Sequence, residues 1–404
     1  MLFTLIKNEL IKIFKRGKTW VVFGLFFLLT IFLVLIYKDN ADVQKYYNSI
    51  QGQIDSYEKQ IKCEEENMKY AKEEGNSDLL ISSENNIKDY KKELEIYKQI
   101  SNNKDNPDKW KLLLEKEKNE LQGIIDDASI ADKDKVDQIN RMKIINEYID
   151  KDIKPIEEWE FNGINFCLNY MSTIGMVLLA CGIAVFMSDI VSGECTPATL
   201  KFLLVQPISR GKVILSKFIA VVLSVILLIV GLEVVMSGIL SIFGGVDAAS
   251  MPTMIGTEYQ WDNSTIATQG KATLVEVVGS GHIVSRGVYL LQSFGIQILF
   301  IISCCAFIFM ISCIFKSSMI TMAISVVISV FATMIPIMSA KVAKIAHLLF
   351  LSYGNPTGLV RGDICSSYSN PNFNIVTGII VLLSTTVITY LIGYFVFKKK
   401  DIII

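Results

Sequence analysis

Six runs of this 404-residue chain are long and apolar enough to cross a hydrocarbon core of roughly 30 Å, and no other feature limits its fold as strongly. They cover residues 20–37, 161–187, 218–243, 289–315, 319–339 and 375–397. Backbone polar groups in lipid must be satisfied within the segment, so each run is expected to be a helix. The second run carries Asn162, Asn165 and Asn169 at one end. The first is short and follows basic residues, as the core of a secretory signal would. No small-residue cleavage site follows it, and the charge pattern below needs an even number of spans, so it is read as span 1.

The average composition, 51% hydrophobic with a net charge of -1, hides two different materials. Residues 38–160 hold 21 Lys/Arg and 30 Asp/Glu, 51 of the 79 charged side chains, and therefore form a polar insert with a net charge of -9. The remainder has the composition of a membrane domain. Basic residues near span ends set the orientation. Lys7, Lys12, Lys15, Arg16 and Lys18 precede span 1. Lys201, Arg210, Lys212 and Lys217 lie between spans 2 and 3, Lys316 between spans 4 and 5, and Lys398, Lys399 and Lys400 after span 6. Six alternating spans put all four groups on one side, although Lys341 and Lys344 then sit on the other. Both termini are thus expected in the cytosol of a bacterium, with residues 38–160 outside its cytoplasmic membrane.

Residues 1–19 place Leu2, Leu5, Ile6, Leu10, Ile13 and Phe14 at helical spacing, with Lys7, Glu9, Lys12, Lys15 and Arg16 on the remaining face, the pattern of an interfacial amphipathic helix. In the insert a period near 3.5 runs through Val43, Tyr47, Ile50, Ile54, Tyr57, Ile61, Met68 and Ala71, with Glu64 in the seam. After a stop signal at Glu74-Gly75-Asn76-Ser77 it resumes at Leu80, Ile87, Tyr90, Leu94 and Tyr97, which predicts an antiparallel, coiled-coil-like hairpin. Asn102, Asn103, Asn106 and Pro107 break it. Two further helices are expected around Trp110–Ile124 and 134–149 before Pro155. The stretches 244–288 and 340–374 read as ordered outer loops, 316–318 as a cytosolic turn and 398–404 as a cytosolic tail. The fold class is an all-α integral membrane protein with six transmembrane helices, an N-terminal interfacial helix and a large helical insert.

Several kinds of chemistry are missing. No GxxxxGK[ST] loop is present to cradle phosphates, so the chain is not its own ATP-driven motor and no enzyme activity or cofactor is assigned to it. The two histidines, His282 and His347, lie far apart, and no HExxH, CxxC or GxSxG occurs, so no metal site is expected. Nothing marks a nucleic-acid partner. The eight cysteines fall mostly within spans and read as small apolar packing residues, with an outer bridge from Cys63 to Cys365 left open.

Between spans 2 and 3, residues 188–217 carry the most specific pattern. Glu194 precedes Thr199; a short basic-apolar stretch with Lys201, Leu203 and Leu204 follows; then come Pro207-Ile-Ser-Arg210 and Lys217, which opens span 3. This segment resembles the cytosolic loop of the ABC-2 type permeases, the membrane subunits of bacterial ATP-binding-cassette exporters, although Ala198 stands where that family usually has glycine. Lys7-Asn-Glu9-Leu-Ile-Lys12 also fits the family's N-terminal helix. The resemblance implies a partner ATPase subunit that holds ATP and magnesium, and a second, identical or similar, permease subunit in the bilayer. It implies ATPase coupling through Glu194, Thr199, Lys201, Leu203, Leu204, Pro207, Arg210 and Lys217. Within the spans, Glu233 is the one acid deep in an apolar run, and with Asn169, Gln292 and Gln297 it marks a candidate substrate path. The expected function is export of a peptide, drug or lipid-like substrate. A membrane sensor or immunity scaffold that binds an extracellular peptide without transport, and an anchor for an envelope assembly, are the alternatives.

Overall fold

Long runs of Leu, Ile, Val and Phe without charge hold unbroken helices in the computed structural model, which describes residues 2–102, 108–194, 209–266, 270 and 272–399. Helix α1 (Leu2–Lys15) leads through a one-residue corner into α2 (Gly17–Tyr47). After the helices α3 to α6 described below come α7 (Gly163–Gly175) and α8 (Leu178–Met187), then α9 (Arg210–Gly244), α10 (Arg286–Ile314) and α11 (Ser318–Met338). Short helices α12 (Ala340–Ala343), α13 (Pro356–Arg361) and α14 (Ile364–Tyr368) precede the last long helix, α15 (Ile375–Lys399). Helices α2, α9, α10, α11 and α15 are each long and apolar enough to span a bilayer. The chain is thus a multi-pass membrane protein with five such helices among the described residues, or six if α7 and α8 form one span.

Span 2 departs from the single helix expected. Its two halves bend by 69° at a break between Gly175 and Leu178. The cause is a close approach of backbones: a Cβ on Gly175 would collide with the carbonyl of Gly354, and one on Gly354 with that of Gly175. Only paired glycines let the turn Phe350–Gly354 press into the break, as kinks form where another chain segment inserts against a helix. Gly182 of α8 is likewise filled by the ring of Phe26 from α2.

The core of this unit lies around α7, α8 and α10, where Met171, Ile174, Leu179, Phe300, Cys305 and Phe309 are fully enclosed. Among the described residues, four short strands add a feature absent from the expected all-α fold. β1 (Pro252–Ile255) pairs antiparallel with β4 (His282–Ser285), and nested inside them β2 (Tyr259–Asp262) pairs with β3 (Thr273–Glu276). Amides of Gly256 and Thr257 bond the carbonyls of Val360 and Arg361 at 2.9 Å each, which ties the outer ribbon to the end of α13.

The chain divides into two compact units, Met1–Val34 with Ser129–Asn140 and Asn162–Ile404, and Leu35–Ala128 with Arg141–Phe161. The insert expected over 38–160 therefore contributes a short piece, 129–140, to the membrane unit. The second unit is helical: the C-terminal part of α2, then α3 (Ile50–Glu74), α4 (Ser77–Asn102), α5 (Lys109–Asp126) and most of α6 (Val136–Asp150). Gly75 adopts φ +70°, and its amide bonds the Ala71 carbonyl to close α3. The hairpin seam is real but starts later than its period suggests. Ile54, Ile61 and Ala71 are buried, whereas Val43 and Tyr47 sit exposed on α2, which runs on past the apolar segment before breaking at Asn48. Glu64 is accommodated in the seam by Asn86 of α4, whose amide donates to it at 3.2 Å. Cys63 is exposed and Cys365 buried, each as a free thiol within its own unit.

Candidate functional site

Helix α1 carries its one acid on the same face as Leu5 and Ile13, and that face packs on α9, so Glu9 is buried with Ile13. The amphipathic reading had placed Glu9 on the polar face. It is drawn inward by Lys217, two turns into α9 and 1% exposed. The Lys217 ammonium donates to Glu9 Oε2 at 3.0 Å and to Glu194 Oε1 at 2.7 Å. Lys12 closes the group, 3.3 Å from Glu9 Oε1 and 3.7 Å from Glu194 Oε1. Glu194 ends the 3-10 turn Ser192–Glu194 that follows α8. Two ammoniums and two carboxylates thus neutralise each other in a site from which water is largely excluded. Burial alone would push the Glu9 carboxyl up, but the charges of Lys217 and Lys12 and their hydrogen bonds outweigh it and hold it below the usual carboxylate range.

The same end of the bundle is cross-linked twice more. Asp189 meets Lys18 at 3.0 Å and Arg16 at 3.4 Å, at the corner between α1 and α2. Ser312, near the end of α10, accepts the amides of Val191 and Ser192 at 3.2 and 3.1 Å and donates to the Ser188 carbonyl. The segment 188–194 is therefore held to α1, α2, α9 and α10 at once. Beyond the other flank of the loop, Arg210 starts α9 exposed and donates from Nη1 to the Lys398 carbonyl at 3.2 Å, near the end of α15. Thr199, Lys201, Leu203, Leu204, Pro207 and Cys195 lie outside the described residues. Of the coupling residues read from sequence, the structure brings Glu194 and Lys217 into contact and sets Arg210 apart on the surface.

A second polar group lies inside the spans. Gln297 of α10 donates to Glu233 Oε1 of α9 at 2.7 Å, and each side chain is 1% exposed. Cys167 and Tyr170 of α7 lie within electrostatic reach of that carboxylate, and Tyr170 shares a 2.8 Å hydrogen bond with Thr30 of α2. The other two candidates for a path do not join them. Asn169 is exposed and donates to the Asn165 carbonyl of its own helix, and Gln292 is exposed on α10. Their spacing identified polar residues in spans but not which helix face they occupy. The sequence reading also passed over Arg286, buried at the start of α10, which donates to Asn165 Oδ1 at 2.9 Å. Glu9, Lys12, Asp189 and Ser312 were likewise missed as members of a network; the available signal was an acid in the middle of an apolar stripe. Among the described residues no group of three or more His, Cys, Asp or Glu side chains is placed to hold a metal ion.

Fold and site define a multi-pass helical membrane protein whose helix ends are bound together at one side by buried ion pairs. A family model described as ABC-2 family transporter protein matches residues 3–402, nearly the whole chain, and the protein belongs to that family. No curated protein and no solved structure matches it. Members of the family are typically non-catalytic permease subunits that sit in a lipid bilayer and pair with an ATPase subunit.

Proposed function

We propose that this chain is the permease subunit of a bacterial ABC exporter and that residues 188–217 are its cytosolic coupling element. The observation that carries the reading is the buried Lys217, which grips Glu194 on one flank of the loop and Glu9 on α1. A push by a closing ATPase on the loop would reach α1, α9 and, through Ser312, α10 as one rigid displacement, because a buried ion pair resists separation in low dielectric. In this account Thr199, Lys201, Leu203, Leu204 and Pro207 seat in the ATPase, and Arg210 fixes the register of that contact by charge. Two permease chains form the pathway, two ATPase subunits supply the energy, and both termini are cytosolic. A peptide, drug or lipid-like substrate passes by Glu233 and Gln297, the polar pair in the spans.

The test is ATP hydrolysis by the partner in membranes containing this chain. Arg210→Glu or Leu203→Asp is expected to abolish permease-dependent stimulation while the chain stays inserted; full stimulation with both would overturn the assignment. A catalytically dead ATPase separates transport from sensing, since an exporter then stops and a sensor continues to respond.

A further inference from the structure

At the end of the bundle that holds the Lys217 cluster, a second set of cations stands without acids. Arg210 and Lys212 are exposed in the first turn of α9, and Lys398 and Lys399 are exposed in the last turn of α15. The two turns touch. Arg210 donates to the Lys398 carbonyl at 3.2 Å, and a Cβ on Gly211 would lie 3.1 Å from the Tyr394 hydroxyl. Neither turn contains Asp or Glu. Lys12, Arg16, Lys18 and Lys217 at this end are each held by a carboxylate, whereas the side chains of Lys212, Lys398 and Lys399 have no ion-pair or hydrogen-bond partner among the described residues. Along α15 an apolar stripe leads to these lysines. Ile388, Leu391, Ile392 and Phe395 recur at i, i+3, i+4 and i+7, and each is between 43% and 57% exposed. One turn further along the same stripe is Lys399. An acyl chain lying on this stripe therefore ends at the lysines.

We propose that this corner of α9 and α15 binds one anionic phospholipid, with an acyl chain along the α15 stripe and the headgroup phosphate among Lys212, Lys398 and Lys399. Lysines beside a bilayer attract anionic lipid, and tyrosine, here Tyr394, is enriched at headgroup depth. Arg210 holds the two turns together so that the lysines converge. Charge and shape together select this occupant. A zwitterionic lipid supplies the same chain but no net charge. An acidic soluble protein reaches the lysines but not the stripe, which lies within the span. A second copy docked here by two-fold symmetry brings its own lysines against these, and like charges repel. The inference goes beyond the transport reading, because the lipid is held and not moved, and its binding requires neither ATP nor the partner subunit.

The experiment uses the full chain in a non-ionic detergent without nucleotide. Dioctanoyl phosphatidylglycerol and dioctanoyl phosphatidylcholine are titrated in parallel, and bound lipid is counted by native mass spectrometry. Phosphatidylglycerol is expected to bind saturably and about tenfold or more tighter than phosphatidylcholine. Replacing Lys212, Lys398 and Lys399 by Gln should weaken phosphatidylglycerol by roughly fivefold per lysine and leave phosphatidylcholine unchanged, while Arg at the same three positions should retain binding. Circular dichroism and size-exclusion chromatography check that both variants stay folded. Equal affinity for the two lipids, or unchanged phosphatidylglycerol binding in the Gln variant, would overturn the proposal. So would displacement of the lipid by inorganic phosphate at equal concentration, which assigns the lysines to a free anion. Loss of ATPase binding in the Gln variant with lipid affinity intact would overturn it too, by assigning them to the partner subunit. None of these substitutions touches Arg210 or Leu203, so this inference and the permease reading can fail separately.

Discussion

Lys217 is the residue on which the network at the α1 end turns, since its ammonium touches both Glu9 and Glu194. Replacing it by Met leaves two buried carboxylates facing each other with only the half-exposed Lys12 between them. Thermal unfolding in detergent should show a loss of roughly 3–5 kcal/mol, the usual result of removing one partner from a buried ion pair. Glu9→Gln, which keeps a hydrogen-bond acceptor, should lose less. A second residue-scale test concerns pH. Burial and the neighbouring Asp137 carboxyl push Glu276 of β3 up to about 7 from its ordinary 4.5, with Asp363 adding to the effect and the amide of Asn140 opposing it. The folded state therefore holds this proton more tightly than the unfolded chain. Its contribution is fully present below about 4.5 and is lost as pH rises through about 7. The melting temperature is expected to fall across that window, and Glu276→Gln should flatten the slope; an unchanged slope would remove Glu276 as its source.

Among the elements, the bent span and the insert hairpin depend on glycines for different reasons. Gly175→Ala would drive a methyl into the Gly354 carbonyl, so it should lower stability and loosen the break between α7 and α8. Gly75 needs its left-handed φ, and Gly75→Ala should destabilise the hairpin by roughly 1–2 kcal/mol. Hydrogen exchange localised to α3 and α4 would register that change, and protection equal to the unaltered protein would contradict it. These elements also show what was legible in the sequence. The spans now seen as α9, α10, α11 and α15, the stop at Gly75 and the helices α5 and α6 follow from apolar length, periodicity and capping residues, all of which are local. The 69° bend was not legible, because it depends on Gly354, distant in sequence from Gly175. The ribbons β1 to β4 are runs of four residues each, too short for a period of two to stand out between glycines.

At the scale of the whole molecule, the same contrast separates the two polar groups. The pattern around Glu194 and Lys217 could be read along the chain, but Glu9 joins it from 208 residues before Lys217. Polar residues of the spans were visible one by one, whereas only packing reveals that Gln297 meets Glu233 while Asn169 and Gln292 turn away. The architecture joins an ABC-2 membrane unit, whose helix ends are tied together at one side, to a helical unit with a cleft of its own. In the proposed coupling, α1 is part of the moving body and not a passive anchor, since Lys217 ties Glu9 to Glu194. A Glu9→Leu, Lys217→Leu double replacement tests this: it should retain ATPase binding but lower ATP-stimulated transport several-fold more than it lowers stability would explain.

The most direct test of the central claim, that the loop after span 2 is a cytosolic lever gripped by an ATPase, is site-directed labelling of Arg210→Cys in a variant whose native cysteines are replaced. The account predicts that a membrane-impermeant thiol reagent fails to reach this cysteine in intact cells, reaches it in inside-out vesicles, and is excluded there once the ATPase is bound. Labelling from outside intact cells would contradict it.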